Sequence, residues 1–411
     1  MTNDLTTGVP AEPERLHALD AVRAGALMLG VVFHAVLSFM EPPLWVVVDE
    51  STSPVMSSVY FILHIFRMTV FFIIAGFFAR MMLHKRGTGG FVRNRAKRIL
   101  APFLIFWPVM MVSTVLVIFW AAAQSGQEQP PPPPFTPFNF PLTHLWFLYY
   151  LLVFYVFALI VRGVLHLVDR QGGLRARVLD PIVRGLVRTD LAPIVLGAPL
   201  VLTLVLSSDW KAWFGVPAAE NGVIPNIGAL LAYTIAFGFG WVLQRQPDLL
   251  QVWAGRYVRN LVLAVLLTGY ALYQIGTQAD PALSPTGSAR WIYAVTYVLA
   301  IWTWAMGLIG AALALLTTER KAVRYVADGS YWIYILHLPL IMALQAAFMR
   351  VPLPWAVKYP LILLIAFPVL LLSYEYLVRY TFLGRLLNGR RRHRERAAAK
   401  PVEAVALAAA E

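Results

Sequence analysis

The 411-residue chain has no cysteine, which excludes disulfides and thiolate metal sites. It also lacks the short signatures of several large enzyme classes: there is no G-x-S-x-G elbow, H-E-x-x-H pair, Walker loop or dinucleotide fingerprint. Charge is scarce, with 13% charged residues against 59% hydrophobic ones. A soluble domain carries about twice that share of charge, so a set of soluble domains is excluded and a polytopic membrane protein is implied. What remains for chemistry is acid–base work by histidine near a fixed cation, without an evident covalent nucleophile and with no metal required.

Acidic residues are the scarcer sign, 21 against 34 Lys and Arg, giving a net charge of +13. Nucleic acid is not needed as a partner to explain this, because the basic residues follow topology. Ten apolar runs of spanning length are expected at 16–40, 55–82, 99–123, 143–168, 191–207, 223–243, 257–275, 290–316, 330–348 and 356–382, the fifth short and holding Pro193 and Pro199. The basic residues crowd the second, fourth, sixth and eighth connections and the tail, whereas the other side holds only Lys211, Arg290, Arg350 and Lys358. The positive-inside rule then puts both termini in the cytoplasm. The expected organisation is an all-α bundle of about ten transmembrane helices in the cytoplasmic (inner) membrane: a cytoplasmic segment 1–15, a membrane domain 16–382 and a basic, disordered tail 383–411. The first run is too long for a signal-peptide core and has no small-residue cleavage site, so it is expected to stay. Nothing in the sequence sets the oligomeric state.

Within the first run lie Asp20, Arg23 and His34. On a helix, Arg23 and His34 return to within about 20° of each other and lie about 16 Å apart along the axis, and Asp20 sits one turn below Arg23. Ionisable groups inside a span mark a functional site by default. The second run holds His64 and Arg67 mid-span, and His34 and His64 lie at similar depth, so the two imidazoles are expected to meet. Glu375 lies at about the depth of Arg23 and is expected to pair with it. His337 lies mid-span in the ninth run and His144 at the outer lip of the fourth, both in supporting positions. Arg93, Arg95, Lys97 and Arg98 crowd the start of the third run, where fixed cations suit a phosphorylated ligand. Outside, five consecutive prolines form a stiff extended segment. Phe135, Phe138, Phe140, Trp45, Trp210, Trp213 and Phe214 make either an interfacial aromatic belt or stacking platforms for a sugar.

Arg23 and His34 with ten residues between them, FFIIAGF at 71–77, RAKRILAP at 95–102, HLWFLYYL at 144–151 and SYWIYILHLPLI at 330–341 jointly resemble the membrane-bound acyltransferase-3 family, over 16 to about 382. The resemblance implies a ten-helix integral membrane O-acyltransferase that moves an acyl group, usually from acyl-CoA, onto a sugar or other hydroxyl. It makes Arg23 and His34 one functional pair and Arg95 and Arg98 a second motif. Within the family, 15–35 and the His64–Arg67 region are similar to the glucans biosynthesis protein C group, which succinylates periplasmic glucans. Two departures leave the acceptor open: Ala75 stands where many relatives have serine, and the proline-rich loop is not assigned to that group.

The expectation is therefore an acyl-CoA-dependent O-acyltransferase with membrane lipid around it, acting on a glycan, a small metabolite or a lipid-linked sugar, with a succinyl or acetyl group in view. His34 is the expected general base, assisted by His64. Arg23 and Arg67 face the thioester oxygen, Arg67 alternatively a second carboxylate of the donor, and Arg95 and Arg98, flanked by Arg93 and Lys97, the CoA phosphates. A proton-coupled transporter built on the same intramembrane Arg, His and Glu is the alternative from another class.

Overall fold

The computed structural model describes residues 12–126, 134–217, 221–318 and 320–388, with side chains from residue 17 onward. The segment 1–11, prolines 130–133 of the expected stiff loop and residues 389–411 lie outside the described residues; of the disordered tail expected from 383, residues 383–388 instead belong to the last helix, Phe382–Asn388. Among the described residues twelve α-helices follow one another: α1 Glu12–Val36, α2 Pro54–Arg95, α3 Ala101–Ser125, α4 Trp146–Val168, α5 Asp180–Arg188, α6 Ala192–Leu206, α7 Ile227–Leu243, α8 Leu250–Ile275, α9 Gly287–Leu315, α10 Lys321–Phe348, α11 Trp355–Ser373 and α12 Phe382–Asn388. Among the described residues there is no strand, only the isolated bridges Met40 to Ser53 and Pro141 to Asn221.

Every apolar run of the sequence folds as helix, but fewer elements than ten are long and apolar enough to cross a membrane by themselves. Among the described residues seven qualify, or eight if the pair Arg175–Arg188 and Ala192–Leu206, bent by 98°, forms one span. Two causes account for the difference. The expected second and third spans lie in one 72-residue run, Pro54–Ser125, interrupted at Gly87 (φ 68°, ψ 175°). A straight helix would separate Met82 from Arg95 by about 20 Å along the axis. Arg95 Nη2 instead lies 2.6 Å from Met82 Sδ, so the chain bends back at Gly87. The fifth and sixth runs give helices of 15 and 17 residues, short of the ~20 that span a bilayer alone.

The helix starts are locally encoded. Ser53 Oγ accepts the N–H of Val55 with Pro54 in the first turn of α2, and Asn226 Oδ1 accepts the N–H groups of Gly228 and Ala229 at the head of α7. Packing places α1 against α2, α9 and α10, α10 against α3 and α11, and α2 against α7. The α2–α7 crossing depends on two glycines. A Cβ at Gly76 would lie 2.0 Å from Phe237 O, and one at Gly240 would lie 1.9 Å from Ile73 O, so neither position has room for a side chain. Gly76 belongs to the FFIIAGF stretch, which is thus a packing motif of the second helix.

Candidate functional site

Two cavities follow the inner face of α1. The first, of about 420 Å³, is lined by five guanidinium groups from three parts of the chain: Arg23, Arg86, Arg95, Arg98 and Arg379. Tyr155, Tyr331, Asn94, Asp328 and Asn388 are among its other polar lining residues. Proline shapes one wall. Pro102 has no N–H to offer the carbonyl four residues back, so Arg98 O is released from the helix, and Tyr331 Oη donates to it at 2.9 Å. The same segment, Ala96–Leu100, is a π turn in which Ala101 N–H bonds Ala96 O. The turn faces Arg95 and Arg98 into the cavity, while Lys97 and Arg93 are exposed and lie outside it. Arg95 donates to Tyr155 Oη (3.4 Å) and Asn94 Oδ1 (2.6 Å).

The second cavity, of about 40 Å³, is lined by Gly30, His34, Arg67, His144 and His337 together with apolar groups. That is room for a hydroxyl or a carbonyl. Leu27, Phe71, Phe147 and Tyr334 line both cavities, so one layer of side chains separates the arginines from the histidines. Arg23, Leu27, Gly30 and His34 form one stripe of α1 along the two, as the helical spacing of Arg23 and His34 requires.

Three imidazoles meet here. Ring centroids are 5.1 Å apart for His34 and His337 and 5.1 Å for His144 and His337. His144 Nε2 lies 2.9 Å from Ile335 O, a carbonyl released because Pro339 four residues on has no N–H. His337 Nδ1 lies 2.6 Å from Tyr334 O, and Tyr334 Oη donates to the backbone carbonyl of His144 at 2.6 Å. His34 Nδ1, His144 Nδ1, His337 Nε2 and Arg67 Nε and Nη1 are shielded from solvent and have no hydrogen-bond partner among the described residues. Buried polar atoms are normally satisfied, so this many in one place marks a ligand site. No group of three or more His, Cys, Asp or Glu side chains among the described residues is placed to hold a metal ion.

Several expected partnerships are replaced. His64 does not meet His34: Phe33 packs against both rings, at 5.2 Å from His34 and 6.0 Å from His64, and His64 stacks on Tyr60 at 5.4 Å. Arg67 lies over the Phe33 ring at 3.9 Å and faces the cavity that His34 lines. Arg23 pairs with Asp20 (3.0 Å) and not with Glu375, whose carboxylate is taken by Arg379 (2.6 Å) and Tyr380 (2.7 Å). Glu375 thereby positions Arg379 at the first cavity. Trp210 and Trp213 are buried, at 4% and 0% exposure, and serve as core, whereas Phe135 and Phe138 are exposed.

Sequence reasoning missed Arg86 and Arg379, which reach the cavity from distant segments, and Gln345. The Gln345 amide accepts from Trp45 Nε1 (3.2 Å) and donates to His34 O (2.9 Å) and Ala35 O (3.3 Å), tying the outer loop over the end of α1. A buried ion pair, Lys358 to Asp49 at 2.9 Å with both side chains 1% exposed, fastens the same loop to α11. The H-x-P and K-R-x-x-x-P spacings signal the freed carbonyls that His144 and Tyr331 bind, and not Arg86, Arg379 or Gln345.

No solved structure matches the chain. Among curated proteins, glucans biosynthesis protein C of Salmonella paratyphi B is 25% identical over 349 residues, covering 82% of this chain and 84% of that protein. The protein of the same name from Escherichia coli strain SMS-3-5 is 29% identical over 110 residues, about a quarter of each chain (25% and 26%). The model of the acyltransferase-3 family, described as an acyltransferase domain, matches residues 16–375. With that match spanning almost all of its apolar helices, the chain belongs to the acyltransferase-3 family and is a multi-pass membrane protein.

Proposed function

We propose that the protein is an O-acyltransferase of the cytoplasmic membrane that moves an acyl group from a CoA thioester in the arginine cavity to a hydroxyl entering the histidine cavity from the outer side. The observation that carries this reading is the shared wall of Leu27, Phe71, Phe147 and Tyr334, which brings a polycationic chamber within one side-chain layer of three imidazoles that each keep a ring nitrogen without a partner among the described residues. Arg23, Arg86, Arg95, Arg98 and Arg379 suit the phosphates of CoA, since guanidinium groups bind phosphate bidentately. The unpaired nitrogens of Arg67 suit the charge that develops on the thioester oxygen, where one such donor contributes about 3 kcal/mol of transition-state stabilisation. The proton of the acceptor hydroxyl passes to the histidine cluster.

In this reading ten helices cross the membrane and both termini are cytoplasmic, which puts the arginine cavity on the donor side. The relatives' name favours a glucan acceptor, and the group moved is proposed to be succinyl or acetyl. Envelope glycans from cells with and without the gene, compared by mass spectrometry, test the acceptor class. An ester-linked acyl group present only with the gene supports the reading, and identical glycans refute the glycan assignment.

A further inference from the structure

We propose that His337 is the base that takes the acceptor proton, the role that sequence reasoning gives to His34. The proposal rests on the acyl-transfer reading above and deepens it. A backbone carbonyl can only accept, so the 2.6 Å contact of His337 Nδ1 with Tyr334 O fixes the hydrogen on Nδ1 and leaves the lone pair on Nε2. That nitrogen is buried, has no partner among the described residues and lines the small cavity. His34 shares the cavity, but its Nδ1 has no partner among the described residues to set a tautomer.

Gly30 shows where the lone pair points. A Cβ at Gly30 would lie 3.8 Å from His337 Nε2 and 3.7 Å from Arg67 Nη1. The base nitrogen and an unpaired guanidinium nitrogen therefore flank one small space over α1, kept open because residue 30 has no side chain. The groups around His337 are His34 from α1, Arg67 from α2, His144 from the turn before α4, and Tyr334 on its own helix. The step balances without a further reagent. The acceptor O–H proton moves to Nε2 as the oxygen bonds to the thioester carbon, and Arg67 holds the oxyanion. The C–S bond then breaks, and the imidazolium returns the proton to the departing thiolate, giving ester and free CoA thiol. His34 hydrogen-bonds the acceptor hydroxyl and positions it.

The test uses purified full-length protein in nanodiscs with succinyl-CoA and a glucose oligosaccharide, reading thiol release. The chain has no cysteine, so every thiol detected comes from the donor. His337→Gln should lower kcat by about 100- to 10,000-fold with CoA binding unchanged. His337→Ala should recover part of its turnover in added imidazole, whereas His34→Gln should raise the acceptor KM more than it lowers kcat. Near-normal turnover in His337→Gln, or imidazole rescue of His34→Ala in place of His337→Ala, overturns the assignment. Gly30→Ala is the second variant. Its methyl sits at ordinary contact distance, so the helix is kept while the space between base and guanidinium is filled. Lost turnover with intact CoA binding supports the proposal, and wild-type turnover overturns it. If wild-type protein releases no thiol from any acyl-CoA, the acyl-transfer reading itself fails, which these variant comparisons separate from failure of His337 alone.

Discussion

Arg98 and Lys97 are neighbours in sequence with opposite surroundings, and that contrast gives a sharp test of where the donor binds. Arg98 lines the large cavity, while Lys97 is exposed and points elsewhere. Arg98→Ala removes the guanidinium but keeps the carbonyl that Tyr331 holds at 2.9 Å, so the π turn and the wall are retained. A hydrogen bond to a charged group contributes about 1.5–3 kcal/mol. Loss of one such contact to a CoA phosphate should therefore weaken binding by about 10- to 150-fold. Lys97→Ala removes the same formal charge from the same turn and should leave binding nearly unchanged, its long-range contribution being screened by salt over about 10 Å. Calorimetric titration of CoA into nanodisc-embedded protein at about 0.1 M salt, where that screening length applies, measures both. Equal weakening by the two substitutions would mean a diffuse basic surface and not the cavity. No weakening by Arg98→Ala would remove the donor assignment altogether.

Three further outcomes follow from the fold. Gly240→Ala puts a methyl 1.9 Å from the Ile73 carbonyl, so it should reduce the yield of folded protein sharply, read by size-exclusion of detergent extracts, whereas Gly238→Ala, with open space around it, should not. Asp49→Asn leaves Lys358 buried and unpaired and should lower the thermal midpoint, a buried broken pair costing about 3–5 kcal/mol, with part of the loss recovered in the double variant Asp49→Asn, Lys358→Met. Reporter fusions after Arg98 and Arg188 should report cytoplasm and one near Lys211 the outside, and a periplasmic signal at Arg188 would break the ten-span topology.

The helical architecture and the line from Arg23 to His34 were legible because both depend on periodicity along one segment. Partners across segments were not. Depth matching along apolar runs suggested His34 with His64 and Arg23 with Glu375, but depth leaves rotation about each helix undetermined. Phe33 occupies the face between the first pair, and Arg379 and Tyr380, four and five residues along the chain, reach Glu375 first. Likewise the basic run marked the arginine-lined cavity in outline, but a π turn decides that Arg95 and Arg98 face inward and Arg93 and Lys97 outward. His337 was legible only as a supporting mid-span histidine because its neighbours come from α1 and from the turn before α4. The short α6 and α7 explain why span counting by hydropathy and by helix length differ.

The central claim is that two adjoining chambers perform thioester-to-hydroxyl transfer. The most direct measurement is simultaneous quantification of free CoA thiol and acylated oligosaccharide from nanodisc-embedded protein given succinyl-CoA and a glucose oligosaccharide. Acyl transfer between the two chambers yields the two products in equal amounts, and both should fall together in Arg98→Ala. Movement of the oligosaccharide across a sealed proteoliposome membrane, driven by a pH gradient and without any thiol release, would contradict it and make the histidine cluster a proton relay.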